Sequence, residues 1–95
     1  MAFHRQEDAQ DLAIRALGWI AGDDEIFAAF LGATGADLAG IRQRAQDPAF
    51  LAAVLDFLLM QDEWVLGFCR DTQTPPEQPM QARAILGGGD MRHWT

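Results

Sequence analysis

The chain has 95 residues and a formal net charge of −7, with seven basic side chains, all arginine, against 14 acidic ones. That balance excludes the phosphate-neutralising surface on which nucleic-acid binding depends, and it disfavours docking on an anionic membrane. With 49% hydrophobic residues the chain can bury one core without metals or disulfides, and no apolar run approaches the roughly 20 residues needed to span a bilayer.

The opening MAFHRQEDAQDL lacks a positive region followed by an apolar stretch, so no signal peptide is read there and the expected location is cytoplasmic. The first helix is predicted from Gln6 to Ala21. Ala9, Leu12, Ala13, Ala16, Leu17 and Ile20 recur at i, i+3 and i+4 and form one apolar stripe. Asp11, Arg15 and Gly18 lie opposite, Ile14 and Trp19 fall on the flanks, and Gly22 ends the helix. A second helix runs from about Asp24 to Ala33, with Ile26, Phe27, Phe30 and Leu31 inward and Gly35 as its stop. Asp37 is placed to cap a short third helix, Leu38 to Ala45, which buries Leu38 and Ile41 and turns Arg42 and Arg44 outward.

Asp47-Pro48 reads as an N-cap followed by proline at the first helical position, where its missing N–H costs nothing. The fourth helix, Pro48 to about Met60, is apolar nearly all round, as expected of the central member of a bundle. Its single charge, Asp56, sits either at an exposed edge or against an arginine such as Arg15 or Arg83. Asp62 opens a fifth helix through about Asp71, with Trp64, Val65, Phe68 and Cys69 on one side. Thr74-Pro75-Pro76-Glu77 has capping-box spacing before a sixth helix that ends near Leu86. Pro79 removes an early ladder bond, so either the first turn is irregular or the regular helix begins at Pro79.

Strand-type alternation is absent from every segment. The class is all-α: a compact bundle of five or six short helices, with residues 1–86 as one domain and 87–95 as a Gly-rich hinge and C-terminal tail. A shift of about 38 positions also lays Trp19 on Phe57, Asp24-Glu25 on Asp62-Glu63, Phe30 on Phe68 and Thr34 on Thr72. Two copies of a three-helix repeat are one reading of this match; chance alignment of Ala-rich helices is the other.

The acidic pair recurs where each second helix begins. Carboxylates there meet free N–H groups and the positive end of the helix dipole, worth about 0.3–1 kcal/mol each. Asp24, Asp37, Asp47, Asp62 and Thr74 are therefore read as helix caps, and no metal site or cofactor is expected. Catalysis finds little support. Ser, Lys and Tyr are missing, His4 and His93 lie near the chain ends, and a lysine-dependent phosphate loop is ruled out. Cys69, the sole cysteine, cannot form an internal disulfide and reads as a small buried hydrophobe.

The segments ALGWIAGDDEIFAAFLGATG, DPAFLAAVLDFLLMQDEWVLGFC and LGGGDMRHWT carry three distinctive features: an L-G-W helix end, the F-L-x-x-V-L-D-F-L run and the D-E-x-x-x-x-F turn. In these the chain resembles the short all-helical proteins of alphaproteobacteria grouped as domain-of-unknown-function family 3572, over nearly its whole length. It departs from that pattern in TQTPPEQP, where the family often has a glycine before a single proline. The resemblance implies an all-helical fold, and it supplies no activity and no functional residues.

Function is therefore unknown from sequence. The expected class is a small non-catalytic protein-interaction or regulatory module, binding an unknown protein partner or itself, with no nucleic acid and no membrane. Ile14, Trp19, Trp64, Leu66 and Trp94 are the candidate partner surface. The alternatives are a redox-sensing or catalytic role for Cys69, and an acidic nucleic-acid mimic whose two acidic turns would have to face the same way.

Overall fold

The computed structural model describes residues 6–86. Six helices follow in chain order: α1 (Gln6–Ala21), α2 (Asp24–Thr34), α3 (Leu38–Arg44), α4 (Pro48–Leu59), α5 (Asp62–Thr72) and α6 (Gln78–Leu86). No strand occurs among the described residues, and the all-α class is borne out. Each of the first five boundaries lies within a residue of its expected position, because glycine, proline or aspartate marks the ends chemically.

α1 and α4 pack against each other at the centre, and α6 lies against both; α2 packs on α1, and α5 on α4. The stripe Ala9, Leu12, Ala13, Ala16, Leu17 and Ile20 is buried throughout. Opposite it, α4 buries Phe50, Leu51, Ala52, Val54, Leu55, Phe57 and Leu58. Fully burying a large apolar side chain contributes about 1.5–3 kcal/mol, so α1 and α4, which supply most of the buried side chains, contribute most of the core. Asp56, the one charge on α4, is held by α6: Arg83 Nε donates to its Oδ1 at 2.5 Å and Nη2 to its Oδ2 at 3.1 Å.

The outer helices depart from the expected pattern. Leu38 is 55% exposed, not inward, and only Ile41 of α3 is buried. The cause is length: α3 has two turns, and Leu38 stands at its very start. In α2 only Phe30 is fully buried, where it meets Phe50 and Phe57 of α4, with Ile26, Phe27 and Leu31 half-buried.

The caps need three corrections. The N-cap of α2 is Asp23, not Asp24; its Oδ1 accepts from the N–H groups of Glu25 and Ile26, both at 3.0 Å. Asp62 is likewise the first residue inside α5, and the extended residue before it, Gln61, makes no side-chain cap bond. A capping side chain must leave an extended residue to reach back to free N–H groups; Asp24 and Asp62 are already helical and act only through the dipole. Thr74 caps nothing. It is buried, its hydroxyl bonds that of Thr72 at 2.7 Å, and α6 begins four residues later, after a turn in which Gln78 N–H donates to the Pro75 carbonyl. Asp37 and Asp47 do occupy N-cap positions, accepting from Gly40 N at 2.7 Å and Ala49 N at 3.0 Å.

The two halves share more than register. α2 and α5 are both 11 residues long, and each ends on a threonine whose hydroxyl donates to the carbonyl of a fully buried phenylalanine four residues back. Thr34 meets Phe30 at 2.8 Å and Thr72 meets Phe68 at 2.7 Å. Both helices are then closed by a left-handed residue, Gly35 (φ 71) and Gln73 (φ 56). Across the molecule the aromatic contacts are reciprocal. Trp19 of the first half meets Phe68 of the second edge-on at 6.2 Å, while Phe57 of the second meets Phe30 of the first edge-on at 5.3 Å. Equivalent positions exchange partners, as across an isologous interface.

Candidate groove between the fifth and sixth helices

α5 and α6 belong to one helix–turn–helix segment, yet they pack on other helices more than on each other. The link between them explains this. The Gln73 and Thr74 N–H groups both turn back to the Cys69 carbonyl, a helix-ending pattern that reverses the chain. Pro75 and Pro76 follow and cannot extend the helix. α6 then leads away from α5 onto α1 and α4.

Between the two helices lies an open groove of about 480 Å³, lined by Leu59, Asp62, Val65, Pro76, Glu77, Met80, Gln81 and Ala84. On α5, Asp62 and Val65 share a face with Leu66 by helical spacing, and Leu66 is 60% exposed. On the other wall Glu77, Met80, Gln81 and Ala84 fall at i, i+3, i+4 and i+7. This is the outward face of α6, whose opposite side buries Pro79 and Ala82. Met80 is 66% exposed, and Met60, just past the end of α4, is 69% exposed. The walls are thus largely apolar, with carboxylates at Asp62 and Glu77.

Behind the groove, Cys69 is 6% exposed, and its thiol lies 3.9 Å from the Pro75 carbonyl. Burial and the neighbouring Glu77 carboxylate both push its pKa up. A thiol so placed carries less thiolate at neutral pH than an ordinary cysteine, contrary to what a reactive sulfur requires.

A second, more polar depression of about 400 Å³ lies among Trp19, Gly22, Asp23, Arg70 and Asp71. There the Trp19 indole N–H donates to Asp71 Oδ2 at 2.8 Å, and Arg70 Nε pairs with Asp71 Oδ1 at 3.3 Å. These two donors hold the Asp71 carboxyl below its ordinary pKa. Asp23 and Asp62, the acids at the two turns, line different depressions. Among the described residues no group of three or more His, Cys, Asp or Glu side chains is placed to hold a metal ion.

Of the described candidate surface residues none lines the groove, and Trp19 lines the second depression. Leu66 shares a face of α5 with the groove-lining Asp62 and Val65 by helical spacing. Trp19 is half-buried over α5, and Trp64 is half-buried and stacked on Phe57 at 4.7 Å. Ile14 is 41% exposed and lines neither depression. Trp94 lies outside the described residues, as do His4 and His93. Met80 and Ala84 escaped sequence reasoning, although the i, i+3, i+4, i+7 spacing from Glu77 could have exposed them once α6 was divided into an inner and an outer face.

Fold and surface together define a small helical domain with an apolar groove. The model of the family described as "Protein of unknown function (DUF3572)" matches residues 6–89, and the chain belongs to that family. No curated protein and no solved structure matches it. No helix among the described residues is long and apolar enough to cross a membrane.

Proposed function

We propose that the protein is a non-catalytic interaction module of the cytoplasm and that the α5–α6 groove is its working surface. The observation that carries this reading is the apolar groove itself, with Met80 exposed in its wall and Leu66 exposed on the face of α5 that carries Asp62 and Val65. Contiguous apolar surface is costly to leave in water and marks sites of association. Methionine suits such a surface, since its unbranched, polarisable side chain adapts to the shape it meets. The single cysteine, buried and with a raised pKa, argues against a redox role. The separation of the acidic turns argues against mimicry of a nucleic acid.

A photo-crosslinking residue placed in living host cells at Leu66, at Met80, or at the exposed control position Gln43 on α3 tests the reading. Adducts to one and the same protein are expected from Leu66 and Met80 and not from Gln43. Equal labelling from all three positions, or none from the groove, would remove its support.

A further inference from the structure

We infer that the groove takes an amphipathic α-helix whose polar flank is basic, an inference that rests on the interaction role just proposed and names the chemistry of its partner. Shape supplies the first argument. The α6 wall presents residues 77, 80, 81 and 84, seven positions or about 11 Å of helix. A docked helix anchors through side chains at i, i+3 or i+4, and i+7, which span the same length. The opposite wall offers Asp62 and Val65 at i and i+3, and Leu59 adds an apolar residue from the end of α4. Ala84 leaves room for close approach at one end, and Met80 can bend to the incoming surface. An extended peptide finds no sheet edge here, since the described residues contain no strand.

Charge supplies the second argument. Asp62 and Glu77 both line the groove, one on the α5 side and one where the link turns into α6. Each stands at a helix N-terminus, whose dipole amounts to about +0.5 of a unit charge. Two carboxylates against two such half charges leave the groove net negative by about one unit, within a chain whose formal charge is −7. A basic helix is drawn in by both terms. An acidic one, including a second copy of this chain, meets repulsion.

The test uses the full chain, isotopically labelled, and two synthetic 18-residue amphipathic helices identical in their leucine face but carrying either lysine or glutamate on the other. Affinity is measured by titration, and the site is mapped by amide chemical shifts. The lysine peptide is expected to bind at least about tenfold more tightly than the glutamate peptide, with shifts concentrated at Leu59, Asp62, Val65, Met80 and Ala84. The double variant Asp62→Asn, Glu77→Gln is expected to lose most of that preference.

Met80→Asp separates groove binding from attraction to an acidic protein in general. It adds a negative charge, so a purely electrostatic association with the lysine peptide would tighten, whereas docking in the groove weakens at least about tenfold. Amide shifts must show Met80→Asp still folded; Ala84→Glu serves as the second variant. If the two peptides bind the groove equally, the basic partner is wrong and the interaction role survives. If neither peptide shifts groove resonances, or Met80→Asp tightens binding, both fall. A concentration-dependent dimer dissolved by Met80→Asp would identify a second copy as the occupant and overturn the inference. So would a Trp94→Ala variant whose shifts coincide with the peptide's, since the chain's own residues 87–95 would then be the occupant.

Discussion

Gly67 is buried in the middle of α5, where glycine ordinarily costs a helix about 1 kcal/mol relative to alanine. Its neighbour explains the choice. A Cβ at this position would stand 3.0 Å from Trp19 Cζ2 and 3.5 Å from Cη2. Carbon atoms settle at about 3.5–4.0 Å, so in Gly67→Ala the indole must give way by a few tenths of an ångström. That ring is held on two other sides, by the 2.8 Å bond from its N–H to Asp71 and by the edge-on contact with Phe68. Weakening an aromatic pair of this kind costs up to about 0.5–1.5 kcal/mol, enough to cancel the gain in helix propensity. Gly67→Ala alone is therefore expected to be nearly neutral. In a Trp19→Ala background the obstacle is gone, and the same substitution should stabilise by the full propensity term, about 1 kcal/mol. The four proteins of this cycle are compared by urea unfolding, followed by circular dichroism at the helix band. Equal stabilisation by Gly67→Ala in both backgrounds would refute the idea that Trp19 requires the glycine.

Three further outcomes follow from the helix ends and titrating groups. Thr34→Val removes one hydroxyl bond and should cost about 0.5–1.5 kcal/mol in chemical unfolding, while Thr72→Val also strips the buried Thr74 hydroxyl of its partner and should cost about 1–3 kcal/mol. Gln73 occupies the left-handed region at φ 56, so Gln73→Gly should raise stability by about 0.5–1 kcal/mol, or the melting temperature by roughly 2–8 °C. Cys69 and Asp71 act at opposite ends of the pH scale. The raised Cys69 pKa gives stability that is complete below the unfolded thiol value, 9.0, and is lost as pH rises through the folded value. The lowered Asp71 pKa gives stability present above the unfolded value, 3.8, and lost as pH falls through the folded one. Carboxyl NMR titration should place Asp71 below the ordinary aspartate range in the native protein and nearer to it in Trp19→Phe, which cannot donate the indole bond.

Helix positions were legible because two local signals agree. Apolar spacing gave the α1 stripe, and Gly22, Gly35 and Asp47-Pro48 marked ends by chemistry that needs no tertiary partner. Errors fell where the outcome depends on a single residue's backbone angles. DDE at residues 23–25 offers three carboxylates, and only the extended conformation of Asp23 makes it the cap. Thr74 has the spacing of a capping box, but Pro75 and Pro76 keep the chain from turning helical until Gln78. The partners of the tryptophans had no local signature: Trp19 and Trp64 are each half-buried over a phenylalanine, Phe68 and Phe57. The groove had no local signature, because its walls come from separate helices and its width is set by where α6 docks.

That docking traces to a difference between the two halves. The link from α2 to α3 covers residues 35–37, whereas the link from α5 to α6 covers 73–77 and contains two prolines. The equivalent helix ends are otherwise closed alike, each by a threonine hydroxyl and a left-handed residue. The longer, stiffer second link carries α6 across to α1 and α4, where Arg83 locks onto Asp56. α6 spends its inner face on that central pair and leaves Met80 and Ala84 turned toward a gap that α5 does not fill. The stretch TQTPPEQP, which holds this link, is thus the stretch that shapes the groove.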